Sequence, residues 1–290
     1  MSLFRSNDSG ICITVSSRSD VGRSREHNED SFLVADLTTQ DTSINGDPHS
    51  YTLGRKGSIL LVADGMGGAL GGEIASQMAT KLIHRELVST WSTDPDDSPE
   101  RFATCIREAV QGANHQIHAR SKAQSDLSGM GTTATLAGIL GPRVFLNQVG
   151  DSRAYLIRAG VVVQLTKDQS FVQGLVDTGR VSEERALEMA PKNIVLQALG
   201  PRSTVDDVQT WQPIAREDTI LLCSDGLSGV VSAAEMGQIV TDGPDLARAC
   251  EQLVALANSR GGPDNITVIL ARVTGNDLKS PQEVEFREPS

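Results

Sequence analysis

The chain has 290 residues, of which 39% are hydrophobic and 22% charged, with a formal net charge of −11 at pH 7. These values are ordinary for a soluble globular protein with one large domain or two small ones. The negative charge argues against a nucleic-acid or anionic-membrane binder, since both need a cationic footprint.

The cellular compartment is predicted from the apolar runs, the N-terminus and the cysteines. No apolar run approaches the roughly 20 residues that cross a bilayer, and the N-terminus MSLFRSNDSG does not have the pattern of a secretion signal. The four cysteines stand alone, without C-x-x-C pairing. These features predict a cytoplasmic protein.

The first half of the chain predicts short strands followed by long helices. Apolar runs, alternating or β-branched, predict strands at 11–17, 31–36 and 59–62. A polar excursion is expected at 37–57. The third strand ends at Asp64, and a turn with five glycines in eight positions follows it. Helices are then predicted at 72–91 and 99–124.

From Gly131 the pattern changes to short β-rich runs separated by turns, which predicts a meander of antiparallel strands. The later elements are a polar helical segment at 168–190, strands at 205–212, 219–223 and 266–272, and helices at 232–241 and 244–259. Antiparallel strands with long helices between them predict an α+β domain of two packed sheets with helices outside. The polar tail after Gly275 is predicted to be disordered.

Acidic residues recur at the ends of the predicted strands. Each one alone could be a turn carboxylate, because Asp beside Gly is common in turns. If they gather at one end of the sheets, their repulsion requires a cation. Oxygen donors without His or Cys at ligand spacing favour Mg²⁺ or Mn²⁺ over zinc. The candidates are Glu29, Asp30, Asp64, Asp151, Asp225 and Asp264, with Arg25 as a bidentate donor for a phosphate.

Seven segments resemble, in order, the motifs of the PP2C-type (PPM) metal-dependent protein serine/threonine phosphatases. They are SDVGRSREHNED, VADGMGG, SGMGTTAT, VGDSRAYL, LTKDQS, CSDGL and PDNITV. The resemblance spans about residues 15–272. It implies a four-layer α/β/β/α sandwich, with two mainly antiparallel sheets flanked by helices. We therefore expect a single phosphatase domain at 1–275, with a flap at about 166–203, and a polar tail at 276–290.

The resemblance also implies a binuclear Mn²⁺ or Mg²⁺ centre. Asp64 would bridge the two ions, and Gly65 would offer its carbonyl oxygen to one of them. Asp225 and Asp264 would complete the shell of the second ion.

Four further roles are implied in the same way. Glu29 and Asp30 would hold metal-bound waters, directly or at one remove. Arg25 would bind the substrate phosphate. Asp151, with Asp225, would match a third, weaker metal site of the bacterial members.

The implied activity is hydrolysis of phosphoserine and phosphothreonine on proteins by a metal-bridging hydroxide, without a covalent phosphoenzyme. The implied partners are phosphorylated proteins, either a Ser/Thr kinase or its substrates, and the implied enzyme is a monomer that opposes such kinases. Animal members often have a His, proposed as general acid, directly after the Asp-Gly pair. This chain has Met66 there, as in the bacterial branch, which puts a side-chain general acid in doubt.

Three alternatives are considered. Residues Cys12 to Arg18 satisfy the C-x5-R pattern of cysteine-dependent phosphatases, but the intervening residues alternate like a strand and include no Gly. The Gly-rich turn has Leu70 where a dinucleotide-binding fingerprint needs its third Gly. The third alternative is a catalytically silent PP2C-like binding or sensing module, which the loss of a core Asp would favour; all the core aspartates are present.

Overall fold

The computed structural model of the protein describes residues 10–43, 48–67, 71–179, 181–182, 185 and 194–287. Two antiparallel sheets pack face to face, and helices cover both outer faces. The predicted four-layer α/β/β/α sandwich is therefore confirmed.

The bounds of the elements follow the sequence pattern closely. The strands are β1 (Ile11–Asp20), β2 (Ser31–Asp36), β3 (His49–Thr52), β4 (Ser58–Ala63), β5 (Gly65–Met66), β6 (Gly131–Thr132), β7 (Ala134–Leu140), β8 (Arg143–Val149), β9 (Arg153–Arg158), β10 (Val161–Gln164), β11 (Val208–Pro213), β12 (Thr219–Cys223) and β13 (Ile266–Gly275). The helices are α1 (Gly71–Thr90), α2 (Pro99–Ala123), α3 (Phe171–Asp177), α4 (Asp225–Ser228), α5 (Ala233–Asp242) and α6 (Leu246–Ser259).

The strands form two main sheets and one short pair. The order in the six-stranded sheet is β10–β9–β12–β13–β1–β3, and the order in the five-stranded sheet is β11–β8–β7–β4–β2. Strands β5 and β6 pair separately. The longest pairing joins β1 to β13, from Ile11 opposite Gly275 to Asp20 opposite Ile266. The two ends of the described fold are therefore neighbours in one sheet.

Strand β4 shows why the central strand is apolar on both faces. Leu60 and Val62 belong to the core between the two sheets. Ile59 and Leu61 belong to the core under α1 and α2. Because side chains alternate across a strand, each set faces a different buried layer. The six-stranded sheet is covered in the same way by α5 and α6.

The excursion at 37–57 differs from the prediction, whereas the segment at 168–190 contains a helix as predicted. The excursion expected at 37–57 contains β3, an edge strand with three of its four residues exposed, which therefore has no apolar pattern. The polar helical segment expected at 168–190 contains the short helix α3. Residues 44–47, 180, 183–184 and 186–190 of these ranges lie outside the described part.

The tail also differs from the expected disorder, from residue 276 to residue 287. Leu278 is 1% exposed, and Phe286 packs on the core between the sheets. The guanidinium of Arg158 donates a hydrogen bond to the Val284 carbonyl at 2.8 Å. The segment is polar on average, but these anchors are enough to hold it. Residues 1–9 of the expected domain and 288–290 of the expected tail lie outside the described residues.

Among the helices of the described chain, none combines the length and the apolar character that a bilayer span requires.

Candidate active site

The acidic residues selected from the sequence lie on loops at one end of the sandwich. Asp64 follows β4, Asp225 begins α4 directly after β12, and Asp151 joins β8 to β9. A cavity of about 360 Å³ opens at this end. The predicted site residues that line it are Arg25, Glu29, Asp64, Gly65, Asp151, Asp225 and Asp264, and Met66 lines it as well. The strand ends thus bring together all but one of the proposed metal ligands.

The exception is Asp30, which lies behind the cavity. Its Oδ2 accepts hydrogen bonds from Ser224 Oγ at 2.7 Å and from Thr267 Oγ1 at 2.6 Å. Its Oδ1 is buried and has no hydrogen-bond partner among the described residues. Asp30 therefore joins the loop before β2 to the ends of β12 and β13, with one oxygen still available.

The Asp-Gly pairs are explained by close backbone packing. A Cβ atom on Gly65 would lie 2.3 Å from the Gly72 carbonyl oxygen at the start of α1. A Cβ atom on Gly226 would lie 2.0 Å from the Asn265 carbonyl oxygen. Contacts this short exclude any side chain, so glycine is required where each aspartate loop meets its neighbour.

Thr133 holds the backbone of Asp64 and was given no role by the sequence analysis. The Asp64 N–H donates to Thr133 Oγ1 at 2.9 Å, and the Thr133 N–H donates to the Asp64 carbonyl at 2.9 Å. Thr133 Oγ1 also lies 2.8 Å from Ser152 Oγ. One hydroxyl thus links the loops that carry Asp64 and Asp151. The only sequence signal was its place in the SGMGTTAT segment.

Burial and mutual repulsion raise the pKa values of the clustered carboxyl groups. Burial raises the pKa of Asp64 well above the usual range, and the charges of Asp30 and Asp225 add to the rise. Burial, followed by the neighbouring Asp225, raises the pKa of Asp151 to about 7. Burial and the nearby Asp264 likewise raise the pKa of Asp225. The cluster therefore favours a bound proton or cation over free carboxylates.

The residues present fit a hard divalent cation. The ligand atoms are carboxylate oxygens, which Mg²⁺ and Mn²⁺ prefer, and Asp225 Oδ1 is buried with no hydrogen-bond partner in the described structure. Within the described ranges, no three Asp, Glu, His or Cys side chains yet converge on one point. Asp264 Oδ2 accepts a hydrogen bond from Arg25 Nη2 at 2.7 Å.

Two alternatives can be compared with this geometry. Cys12 lies within β1 and pairs with Thr274 of β13. The C-x5-R segment is therefore a strand, whereas a cysteine phosphatase needs a phosphate-binding loop at a helix N-terminus. Leu70 stands where the dinucleotide-binding fingerprint needs its third Gly, and it lies outside the described residues.

A four-layer sandwich with an acidic, oxygen-lined pocket at one end defines the class of metal-dependent protein phosphatases. The chain belongs to the protein phosphatase 2C family, whose model matches residues 38–271. The resemblance drawn from the seven motifs is thereby confirmed.

Individual relatives agree with this assignment. The chain is 39% identical to the serine/threonine phosphatase stp of Listeria innocua over 254 residues, which is 87% of this chain and 93% of the relative. The structure of the S. agalactiae serine/threonine phosphatase matches with a TM-score of 0.78 and 29% identity over 91% of this chain and 100% of that one. The catalytic domain of the phosphatase PstP, solved in complex with two manganese ions, matches with a TM-score of 0.72 and 34% identity over 91% of this chain and 99% of that one.

Proposed function

We propose that the chain hydrolyses phosphoserine and phosphothreonine on proteins with the help of two Mn²⁺ or Mg²⁺ ions. The observation that carries this proposal is the cavity in which Asp64, Asp225 and Asp264 lie beside Arg25. The manganese complex of the related PstP domain supports the choice of ion. Such ions, when bound, supply an activated water and stabilise the negative charge that develops on the transferred phosphoryl group.

The proposed metal ligands follow from the resemblance to the PP2C family, and burial and one unpartnered atom support them. Asp64 would be the ligand shared by both ions, Gly65 would contribute its carbonyl oxygen, and Asp225 and Asp264 would hold the second ion. Support comes from the buried, unpartnered Oδ1 of Asp225 and from the raised pKa of Asp64, which burial and its acidic neighbours produce.

Three further acidic residues complete the assignment. Glu29 lines the cavity and orients water bound to the ions. Asp30 lies behind the cavity and would hold metal-bound water indirectly. Asp151, together with Asp225, would hold a third and weaker ion. Burial raises the pKa of Asp151 to about 7 and the nearby Asp225 adds to the rise, which supports a cation between them.

Arg25 binds the substrate phosphate in this proposal. Its side chain is 48% exposed and lines the cavity, so a phosphoryl group can reach it from solvent. A guanidinium offers two parallel donors that match phosphate oxygens. Met66 also lines the cavity but has no proton to donate. We assign no side chain as general acid.

The partners are phosphorylated Ser/Thr proteins, and we propose a monomer that opposes Ser/Thr kinases in the cytoplasm. The four free cysteines support a reducing compartment. We further propose that the flap at 166–203 influences substrate access. Val195, in this range, lines the cavity, and Ser170 pairs with Val195 across a β-bridge.

The test is hydrolysis of a phosphothreonine peptide in Mn²⁺, in EDTA, and after thiol alkylation. We expect activity that requires Mn²⁺ and survives alkylation. Burial raises the pKa values of the Cys223 and Cys250 thiols to about 12, so neither is a nucleophile at neutral pH. Mn²⁺ binding without turnover of any phosphoester would contradict the proposal and indicate a silent binding module.

A further inference from the structure

The turn that carries Asp151 connects β8 of the five-stranded sheet to β9 of the six-stranded sheet, and groups from other segments hold it. Gly150 has a φ of 104°, and a Cβ atom there would lie 2.6 Å from Thr133 Cγ2. On the same side, the Ser152 hydroxyl lies 2.8 Å from the Thr133 hydroxyl. The position of Asp151 therefore depends on groups that approach this turn from other segments.

Gln169 holds the other side of the turn. The Gly150 N–H donates to Gln169 Oε1 at 2.8 Å, and the Gln169 N–H donates to the Gly150 carbonyl at 2.9 Å. This pair of bonds joins the turn to the segment between β10 and α3. Two other bonds of Gln169 point away from the turn. Its Nε2 donates to the Asp206 carbonyl at 2.8 Å, and its own carbonyl accepts from the Leu196 N–H at 2.7 Å.

The side chain of Gln169 thus uses both ends of its amide. The oxygen accepts from the turn, and the nitrogen donates to the chain segment that returns from the flap range. A primary amide provides an acceptor and a donor in one rigid group. Leucine or methionine at this position would provide neither, and glutamate would provide only the acceptor.

We propose that Gln169 is a positioning residue for the ion held by Asp151. Its amide fixes the turn that carries Asp151 relative to the base of the flap, and this sets the affinity of that ion. The proposal rests on the proposed function, in which Asp151 and Asp225 hold a third, weaker ion. Groups that orient a metal ligand typically contribute about 10- to 100-fold in metal affinity.

The experiment measures Mn²⁺ binding to the full chain by calorimetric titration. The isosteric variant Gln169→Met removes both polar ends of the side chain without creating a cavity. We expect the most weakly bound Mn²⁺ ion to bind this variant at least about tenfold less tightly than the unchanged protein. The more tightly bound ions should keep their affinity. The Mn²⁺ concentration for half-maximal peptide hydrolysis should rise by the same factor.

Gln197→Ala is the matched control. Gln197 also bonds Asp206, through Nε2 to Oδ2 at 3.0 Å and from the Asp206 N–H to Oε1 at 3.4 Å. None of its hydrogen bonds among the described residues reaches the Asp151 turn. We expect this variant to bind every Mn²⁺ ion with the affinity of the unchanged protein.

Gln169→Glu separates the two ends of the amide. It keeps an acceptor for the Gly150 N–H but loses the donor to the Asp206 carbonyl. We therefore expect the most weakly bound Mn²⁺ to bind this variant less tightly than the unchanged protein and more tightly than Gln169→Met. If Gln169→Met does not fold, the Glu variant decides the question: weaker binding of that ion supports the proposal, and unchanged affinity overturns it. Unchanged Mn²⁺ affinity in a folded Gln169→Met also overturns it.

Failure of the proposed function has a different signature. A chain that binds Mn²⁺ but hydrolyses no phosphopeptide contradicts the activity, while the comparison of variants still decides the role of Gln169. If the titration of the unchanged protein shows no weakly bound Mn²⁺ ion, both the assignment of Asp151 and the role of Gln169 are contradicted.

Discussion

Arg25 donates a hydrogen bond from Nη2 to Asp264 Oδ2 across 2.7 Å, so the proposed phosphate ligand is bonded to a proposed metal ligand. This hydrogen bond raises the pKa of Arg25, which keeps the guanidinium charged. An ion at Asp264 and the guanidinium compete for the same oxygen. We therefore expect metal binding to release Arg25 toward the substrate.

Arg25→Ala should raise KM for a phosphothreonine peptide about tenfold or more, with a smaller effect on kcat. The reason is that a charge-assisted hydrogen bond to the phosphate is lost, and such bonds contribute about 1.5–3 kcal/mol. Arg25→Lys keeps the charge without the bidentate geometry, so its KM should be intermediate. Steady-state kinetics at saturating Mn²⁺ measures both. An unchanged KM for Arg25→Ala would contradict the role of Arg25 in phosphate binding.

Asp64→Asn should lower turnover at least about a hundredfold, because it removes charge from the proposed shared metal ligand. In EDTA the same variant should melt at a higher temperature than the unchanged protein. Asp64 is buried beside other carboxyl groups, and a neutral amide relieves that repulsion. The expected rise is roughly 2–4 °C for each kcal/mol gained.

Scanning calorimetry in EDTA checks this prediction, with Asp126→Asn as the control for a general effect of charge. Asp126 is an exposed residue outside the cavity. The control should leave both melting temperature and turnover unchanged. A metal-free Asp64→Asn protein that melts at a lower temperature would show that the carboxylate stabilises the empty site.

Thr133→Val should destabilise the protein by about 1–3 kcal/mol, because it leaves the partly buried Asp64 N–H without its acceptor. It also breaks the hydroxyl link to Ser152, so turnover should fall as well. Thr133→Ser keeps the hydroxyl and should restore most of both properties. Denaturant unfolding and peptide hydrolysis provide the two measurements. Equal stability of the Val and Ser variants would contradict the role of the hydroxyl.

The positions of the acidic residues that line the cavity were predictable because each is tied to a local pattern. Asp64 and Asp225 follow apolar runs that end abruptly before Gly, and the strand at 219–223 has the predicted bounds. The contacts between them were not predictable. Arg25 and Asp264 are 239 residues apart in the chain, and Asp64 and Thr133 are 69 apart. Long-range pairs of this kind are fixed by strand order, which periodicity does not reveal.

Both errors in the fold arose because a segment was judged by its average polarity. Strand β3 lies at the edge of its sheet, so its solvent-facing residues lack an apolar pattern. The tail was judged by its average polarity, whereas Leu278 and Phe286 alone bury its apolar surface. The average polarity of a segment therefore does not predict whether it is ordered, because a few buried side chains are enough to order it.

The packing of the tail gives the last prediction, at the end of the sandwich away from the cavity. The ring of Phe286 lies 4.5 Å from the guanidinium of Arg158. Arg158 in turn pairs with Asp218 at 2.6 Å, and both side chains are almost fully buried. Arg158 ends β9, whose other end adjoins Asp151, so the two ends of the strand are roughly 17 Å apart.

Phe286→Ala should therefore lower the free energy of unfolding by about 2 kcal/mol, through lost burial and a lost cation–π contact. Its kcat and KM should not change, because the ring is remote from the cavity. Glu285→Ala is the matched control, since Glu285 is exposed on the same segment and should leave stability unchanged. Urea unfolding of both variants measures the difference. If Phe286→Ala unfolds at the same midpoint as the control, the tail contributes no stability and the expectation of a disordered tail regains its support.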